Sequence, residues 1–191
     1  MRIGSERISS WEAAMTLPTF LGIGAARSGT TWLHELLVSH PDIYVPTRRK
    51  EVRFFDQYFE RGLHWYQEFF PPDSGAGQYR AIGEISPGYY RCPSCPARIA
   101  SIPSITSLIL MVRNPMDRAY SHYGLVVREG RTSETFEDFL SIEPQAVQWG
   151  FYSRYLESYL RYFKRDQILV MIYEHTMADV QGAKERLASF L

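Results

Sequence analysis

Between the apolar run Thr19-Phe20-Leu21-Gly22-Ile23 and a helical pattern opening at Thr30 stands Gly24-Ala25-Ala26-Arg27-Ser28-Gly29-Thr30-Thr31-Trp32. Small residues at a strand-to-helix turn let loop N–H groups converge with the first-turn amides of the helix on one point, which favours an anion. The Gly24 to Gly29 spacing, followed by Thr30-Thr31, is that of the triphosphatase loop G-x-x-x-x-G-K-[ST]. Its Lys is missing: Thr30 holds that place, and the cation is Arg27. Such a loop is expected to hold a phosphorylated ligand without hydrolysing ATP or GTP. The competing reading, a turn with no ligand, has to explain the agreement of several positions in the right context.

A second cation stands at the end of another apolar run, Leu108-Ile109-Leu110-Met111-Val112-Arg113. Triphosphatases place a carboxylate at a buried strand end to hold Mg²⁺. Arg113 binds an anion there instead, and Ser121, two helical turns further on, offers a hydroxyl to share it. Alone, this pair reads as a structural Arg bonded to loop carbonyls. Together with the first loop it implies two phosphate subsites at opposite ends of one nucleotide.

The elements that would position these residues follow from apolar spacing. Strands are expected at Phe20–Ala25, Tyr79–Ile85, Thr106–Val112 and Ile168–Tyr173, with a short β-like piece within Asp42–Pro46. The last two are continuous apolar runs, as in parallel strands buried on both faces. Helices are expected over Thr30–His40, stopped by Pro41, then Gly62–Phe70, Ala97–Ile102, Glu134–Leu140, Tyr152–Phe163 and Met177–Leu191. Asn114-Pro115 opens a further helix running to about Arg128, with Pro in its first turn. The alternation predicts an α/β fold: three layers, a central parallel sheet flanked by helices, of the P-loop type.

Composition narrows the function. With 21 Lys plus Arg against 21 Asp plus Glu the formal net charge is zero, so no global basic field is available to coat nucleic acid. Any anion site must be local. At 191 residues, 45% hydrophobic and 22% charged, the chain fits one globular domain. Residues 1–17 read as an extension or a short first helix, and 18–191 as the domain. The pattern stops at Phe190-Leu191 within an apolar helix, so a piece of a longer domain, incomplete at its C-terminus, is expected. No apolar run approaches the roughly 20 residues of a membrane span, and no signal peptide is read, so the expectation is a cytoplasmic protein. Oligomeric state is not encoded legibly. Cys92-Pro93-Ser94-Cys95 could be a redox pair or half a zinc site, but no second pair exists and the prolines suggest a loop. Incidental thiols in a reducing compartment are the plainer reading.

Two phosphate subsites with neither the triphosphatase Lys nor a metal-holding carboxylate point to 3′-phosphoadenosine 5′-phosphosulfate, with no metal required. Here the chain resembles the sulfotransferase family over nearly its whole length. Arg27-Ser28-Gly29-Thr30-Thr31-Trp32-Leu33 is similar to the family's 5′-phosphosulfate loop, though the family often has Lys where Arg27 stands. Arg113 through Ser121 is similar to its 3′-phosphate motif. Lys50-Glu51-Val52-Arg53-Phe54-Phe55-Asp56, Gly62-Leu63-His64-Trp65-Tyr66 and Glu84-Ile85-Ser86-Pro87-Gly88-Tyr89 resemble the branch acting on heparan-type glycans and its bacterial relatives.

The resemblance implies transfer of a sulfuryl group to an acceptor hydroxyl or amine, with cofactor contacts at Arg27, Ser28, Gly29, Thr30, Thr31, Trp32, Arg113 and Ser121. It makes Glu51 the general base and Arg27 the stabiliser of the leaving phosphate, with Lys50, Arg53, Ser86 and Tyr89 on the acceptor side. A solvated pair with Lys50 or Arg49 is the competing reading of Glu51. His34, His40, His64, His122 and His175 are rival bases, each individually read as packed or surface. Arg53 stands where glycan enzymes often have His, and Ile85 where they often have Lys, which leaves the acceptor open among glycan, lipid and small metabolite. A kinase of small molecules on the same sheet, or a non-catalytic nucleotide-binding fragment, are the alternatives from other classes.

Overall fold

The computed structural model describes residues 16–191. Strands β1 (Phe20–Gly24), β2 (Ile43–Tyr44), β3 (Ala81–Ile85), β4 (Ser107–Val112) and β5 (Ile168–Ile172) form one sheet in the order β2-β3-β1-β4-β5. Every pairing is parallel. The connections carry α1 (Thr30–Val38), a π-helical turn at Phe54–Tyr58, α2 (Gly62–Gln67), α3 (Asp73–Ala76), α4 (Cys95–Ala100) and α5 (Pro115–Arg128). They continue with α6 (Phe136–Ile142), α7 (Gln145–Gln148), α8 (Tyr152–Tyr159), α9 (Tyr173–Ala178) and α10 (Val180–Phe190).

Alternation along the strands builds two cores, one on each face of the sheet. Leu108 and Leu110 of β4 join the first with Leu21, Phe54, Tyr66, Ile99 and Tyr159. Ile109 and Met111 join the second with Leu33 and Leu37 of α1 and Ala183 and Leu187 of α10. This is the three-layer arrangement expected from the alternating elements.

The differences from expectation have local causes. β5 ends at Ile172 because Tyr173 opens α9, and Asp179 divides the expected last helix by accepting the Gly182 N–H at 2.9 Å as the cap of α10. The helix expected from Ala97 starts at Cys95, with Pro96 in the first turn where its missing N–H is harmless. The Cys-Pro-Ser-Cys segment therefore runs into a helix rather than remaining loop. The extension expected over 1–17 lies almost wholly outside the described residues.

Two helix starts matter for the site. The side chain of Asn114 caps α5 by accepting the Met116 N–H at 2.9 Å, which fixes Arg113 at the end of β4. By contrast, α1 follows Gly29 with no side chain capping it. Its first amides thus stay available.

Candidate functional site

The chain leaves β1 towards β3 on one side and later crosses to β4 on the other. In open parallel sheets, ligands bind outside the C-terminal strand ends at such a reversal. A cleft of about 350 Å³ lies there, its floor formed by the loop of Arg27, Gly29, Thr30 and Thr31. Lys50 and Glu51 close one side, and Arg113, Ser121 and Tyr173 the other. Residues expected at the two ends of one nucleotide thus share one cleft.

Arg27 has φ 71°, the left-handed region that a side-chain-bearing residue seldom adopts. Its Nε and Nη2 donate to Ser121 Oγ at 3.1 and 2.9 Å, a contact across 94 residues that ties the two expected subsites together. Burial lowers its pKa, and repulsion from Arg128 and then Arg113 adds to the effect. Gly29 has φ 92°, and a Cβ there would stand 2.7 Å from Tyr173 Cδ2. The Arg113 guanidinium lies over the Tyr173 ring, 4.9 Å from its centroid, and its Nε is buried with no partner. Uncapped amides, a guanidinium at the cleft wall and a glycine cradle suit phosphate oxygens.

Opposite, Lys50 Nζ donates to Thr31 Oγ1 at 2.6 Å, closing the acceptor-side loop on the anion loop. Glu51 is half-buried at the cleft edge. Among the described residues its carboxylate forms no ion pair, so the solvated-pair geometry with Lys50 or Arg49 is not what is seen. Arg49 instead donates through Nε to the Glu51 carbonyl at 3.1 Å.

Behind this loop lies a buried carboxylate whose role the sequence reading did not single out. Glu84 of β3 is fully buried. Tyr89 Oη donates to it at 2.6 Å, Ser86 Oγ at 2.7 Å and Tyr66 Oη at 3.3 Å, and the Val52 N–H bonds to it as well. Burial pushes its pKa up to about 7, with those hydrogen bonds pulling the other way. The network continues outward: the Arg53 N–H donates to Ser86 Oγ at 2.9 Å and the Phe55 N–H to Tyr89 Oη at 3.4 Å. Three amides just after Glu51 therefore end in one buried cluster. The signal for it is a carboxylate inside the apolar strand Ala81-Ile82-Gly83-Glu84-Ile85.

Several expected site residues take other places. Ser86 and Tyr89 are fully buried with their hydroxyls turned into Glu84, so they support the wall of the cleft and do not face an acceptor. Trp32 packs against the core beneath α1, and the Ser28 hydroxyl is buried without a partner; neither lines the cleft. Arg53 has φ 60° and holds Asp56 through Nη2 at 2.6 Å, above Gly88. None of the five histidines lines the cleft. His34 sits 3.2 Å from the Pro46 carbonyl, and His122 packs on Trp149, where burial lowers its pKa. Tyr173, taken in sequence for the last residue of a strand, is the ring on which Arg113 rests.

A profile of the sulfotransferase domain matches residues 18–191. The chain belongs to the sulfotransferase domain family. It is 32% identical over 189 residues to the human heparan sulfate glucosamine 3-O-sulfotransferase 3A1, covering 94% of this chain and 45% of that protein. It is 30% identical over 198 residues to the human bifunctional heparan sulfate N-deacetylase/N-sulfotransferase 3, covering 92% of this chain and 22% of that protein. A sulfotransferase from Alicyclobacillus acidocaldarius superposes with a TM-score of 0.80 at 28% identity, over 92% of this chain and 81% of that one. The chain thus spans under half the length of the two curated relatives. Among the described residues of this sulfotransferase domain, no helix is long and apolar enough to cross a membrane.

Proposed function

We propose that this domain moves a sulfuryl group from 3′-phosphoadenosine 5′-phosphosulfate to an acceptor hydroxyl or amine. The observation that carries the reading is the meeting of Arg27 and Arg113 in one cleft, at the two positions where a triphosphatase has a Lys-bearing loop and a metal-holding carboxylate. The loop amides, Gly29, Thr30 and Thr31 would hold the 5′-phosphosulfate, and Arg113 with Ser121 the 3′-phosphate. Arg113 lines the cleft with its guanidinium resting on the Tyr173 ring, which positions it for that contact.

As the acceptor oxygen or nitrogen forms its bond to sulfur, the bond from sulfur to the bridging phosphate oxygen breaks, and negative charge grows on the departing phosphate. Arg27 and the open amides of α1 face that charge, as electrostatic stabilisation of a leaving group requires. Glu51 accepts the acceptor's proton; Lys50 keeps the loop that carries it against Thr31. The donor supplies the sulfuryl group, and the domain supplies position and charge. The printed names of the curated relatives make an amino sugar of a glycan one acceptor to try, beside lipid and small-metabolite alcohols.

The test is transfer of radiolabelled sulfate from the donor to an acceptor panel. Label should pass to at least one acceptor class. Glu51→Gln should lower turnover by about 10²–10⁴-fold, the usual worth of a positioned base, with nucleotide affinity retained. Label that reaches no acceptor overturns the activity, and unchanged turnover in Glu51→Gln removes that residue from the chemistry.

A further inference from the structure

The segment Cys92-Pro93-Ser94-Cys95 plays no part in the sulfuryl chemistry, yet it is built as more than two stray thiols. The Cys95 N–H donates to the Cys92 carbonyl at 3.2 Å, closing a four-residue turn. Such closure holds the first and fourth Cα atoms within about 7 Å, the separation that a disulfide spans. The two sulfurs stand in unlike surroundings. Cys95 is fully buried in the core that holds Ile99 and Tyr159, whereas Cys92 is half-buried beside the exposed Pro93 and Ser94. A reagent in solvent therefore meets Cys92 first and reaches Cys95 only through it.

We infer that Cys92 and Cys95 form a thiol–disulfide exchange site, with Cys92 the attacking and Cys95 the resolving sulfur. Cys92 also packs against this core, but at its solvent-facing edge, where its sulfur remains reachable. Zinc is poorly served, since among the described residues no group of three or more His, Cys, Asp or Glu side chains could hold a metal ion. The electrostatics agree with the geometry. Hydrogen bonds from the Cys95 thiol and then from Ser94 pull the Cys92 thiol down to about 6, and the Ser94 hydroxyl lies 3.3 Å from its sulfur. The same partnership and burial push the Cys95 thiol up. The thiolate, the form that attacks, is thus favoured at Cys92 over Cys95.

The co-reactant is a small disulfide such as oxidised glutathione. The Cys92 thiolate attacks one of its sulfurs, forming a mixed disulfide and expelling one thiolate. The Cys95 thiol passes its proton to that thiolate; its own sulfur then attacks Cys92 Sγ and expels the second, which is protonated from water. Two electrons leave the protein dithiol, one disulfide forms in the chain, and the reagent becomes two thiols. The turn hangs on the segment behind the cleft, because the Cys92 N–H donates to the Tyr89 carbonyl at 3.1 Å.

The experiment equilibrates the reduced protein in glutathione buffers of graded oxidation, quenches with acid, alkylates and weighs the products. Both thiols should disappear together in one transition, with loss of two hydrogens. Iodoacetamide at neutral pH should modify Cys92 at least about tenfold faster than Cys95. Cys95→Ala, which buries no hydroxyl, should trap a stable glutathione adduct on Cys92, and Cys92→Ser should give neither adduct nor disulfide. Wild-type protein that stays a dithiol even in buffers that oxidise a strongly oxidising DsbA-type control overturns the inference without recourse to any variant. Equally fast modification of Cys95, or an adduct on Cys95 in Cys92→Ser, also overturns it.

Discussion

Glu84→Gln isolates the buried carboxylate that anchors the loop carrying Glu51. In the folded chain Glu84 accepts three hydroxyls and the Val52 N–H, and desolvation still wins, lifting its pKa from 4.5 to about 7. The folded state therefore holds the proton more tightly than the unfolded one. The stabilisation linked to this group is fully present below pH 4.5 and is lost as pH rises through about 7. Between about pH 5 and pH 8 that loss is roughly 2–3 kcal/mol, at 1.36 kcal/mol per pKa unit. Glutamine does not titrate, so the variant lacks this fall.

The assay is urea unfolding of both proteins across that range. The stability difference, wild type minus variant, should shrink by roughly 2–3 kcal/mol from about pH 5 to pH 8. Turnover supplies the second readout. The Gln amide nitrogen cannot accept, so one of the bonds to Val52, Ser86 or the tyrosines is lost. One hydrogen bond is worth about 1 kcal/mol, so a fivefold to tenfold fall in kcat is expected (about 1–1.4 kcal/mol), with nucleotide affinity unchanged. Parallel stability curves would refute the burial argument, and an unchanged kcat would show that the Glu51 loop holds its place without this anchor.

Two further outcomes follow from the cleft. Arg113→Ala should weaken binding of the 3′-phosphorylated nucleotide by about 10–100-fold, the worth of a charge-assisted hydrogen bond, while a 3′-dephospho analogue loses much less; calorimetry with both ligands decides, and equal losses would reject the subsite. Gly29→Ala must place a Cβ at φ 92° and 2.7 Å from Tyr173. It should cost roughly 1–3 kcal/mol of stability and disturb the ring beneath Arg113, which thermal melts with and without nucleotide would read.

Sequence pattern reached the parts of this fold that are local. The loop from Gly24 to Thr31, the apolar run ending at Arg113 and the Asn114-Pro115 helix start each depend on neighbours in the chain, and each stands where spacing put it. What escaped depends on distant partners. Ser121 meets Arg27 across 94 residues, a contact that links the two expected subsites and that no local window contains. Glu84 takes partners from both before and after it in the chain, which no window of pattern contains. Ser86 and Tyr89 were placed correctly at the strand end, but the direction of their side chains follows from the buried carboxylate. Tyr173 failed for a different reason, because an aromatic after an apolar run has strand propensity and only tertiary contact turns it into α9.

Several local costs of this fold meet at the cleft, although Arg53 in left-handed backbone and the buried, unpartnered Arg118 Nε lie outside it. Arg27 stands in left-handed backbone where a glycine would relax, and α1 begins without a capping side chain. The Arg113 Nε is buried without an acceptor, and Arg128 and Arg113 both repel Arg27. Each feature destabilises the protein alone, and stability by itself would favour a cap, a glycine and a carboxylate at these positions. Negatively charged oxygens arriving in the cleft would pair the open amides and offset the repulsion on Arg27. Scattered at random, these features would argue for nothing. Where they meet, at the β1 switch point, the open amides and the arginines are what binding of a multiply charged anion, as proposed above, would use.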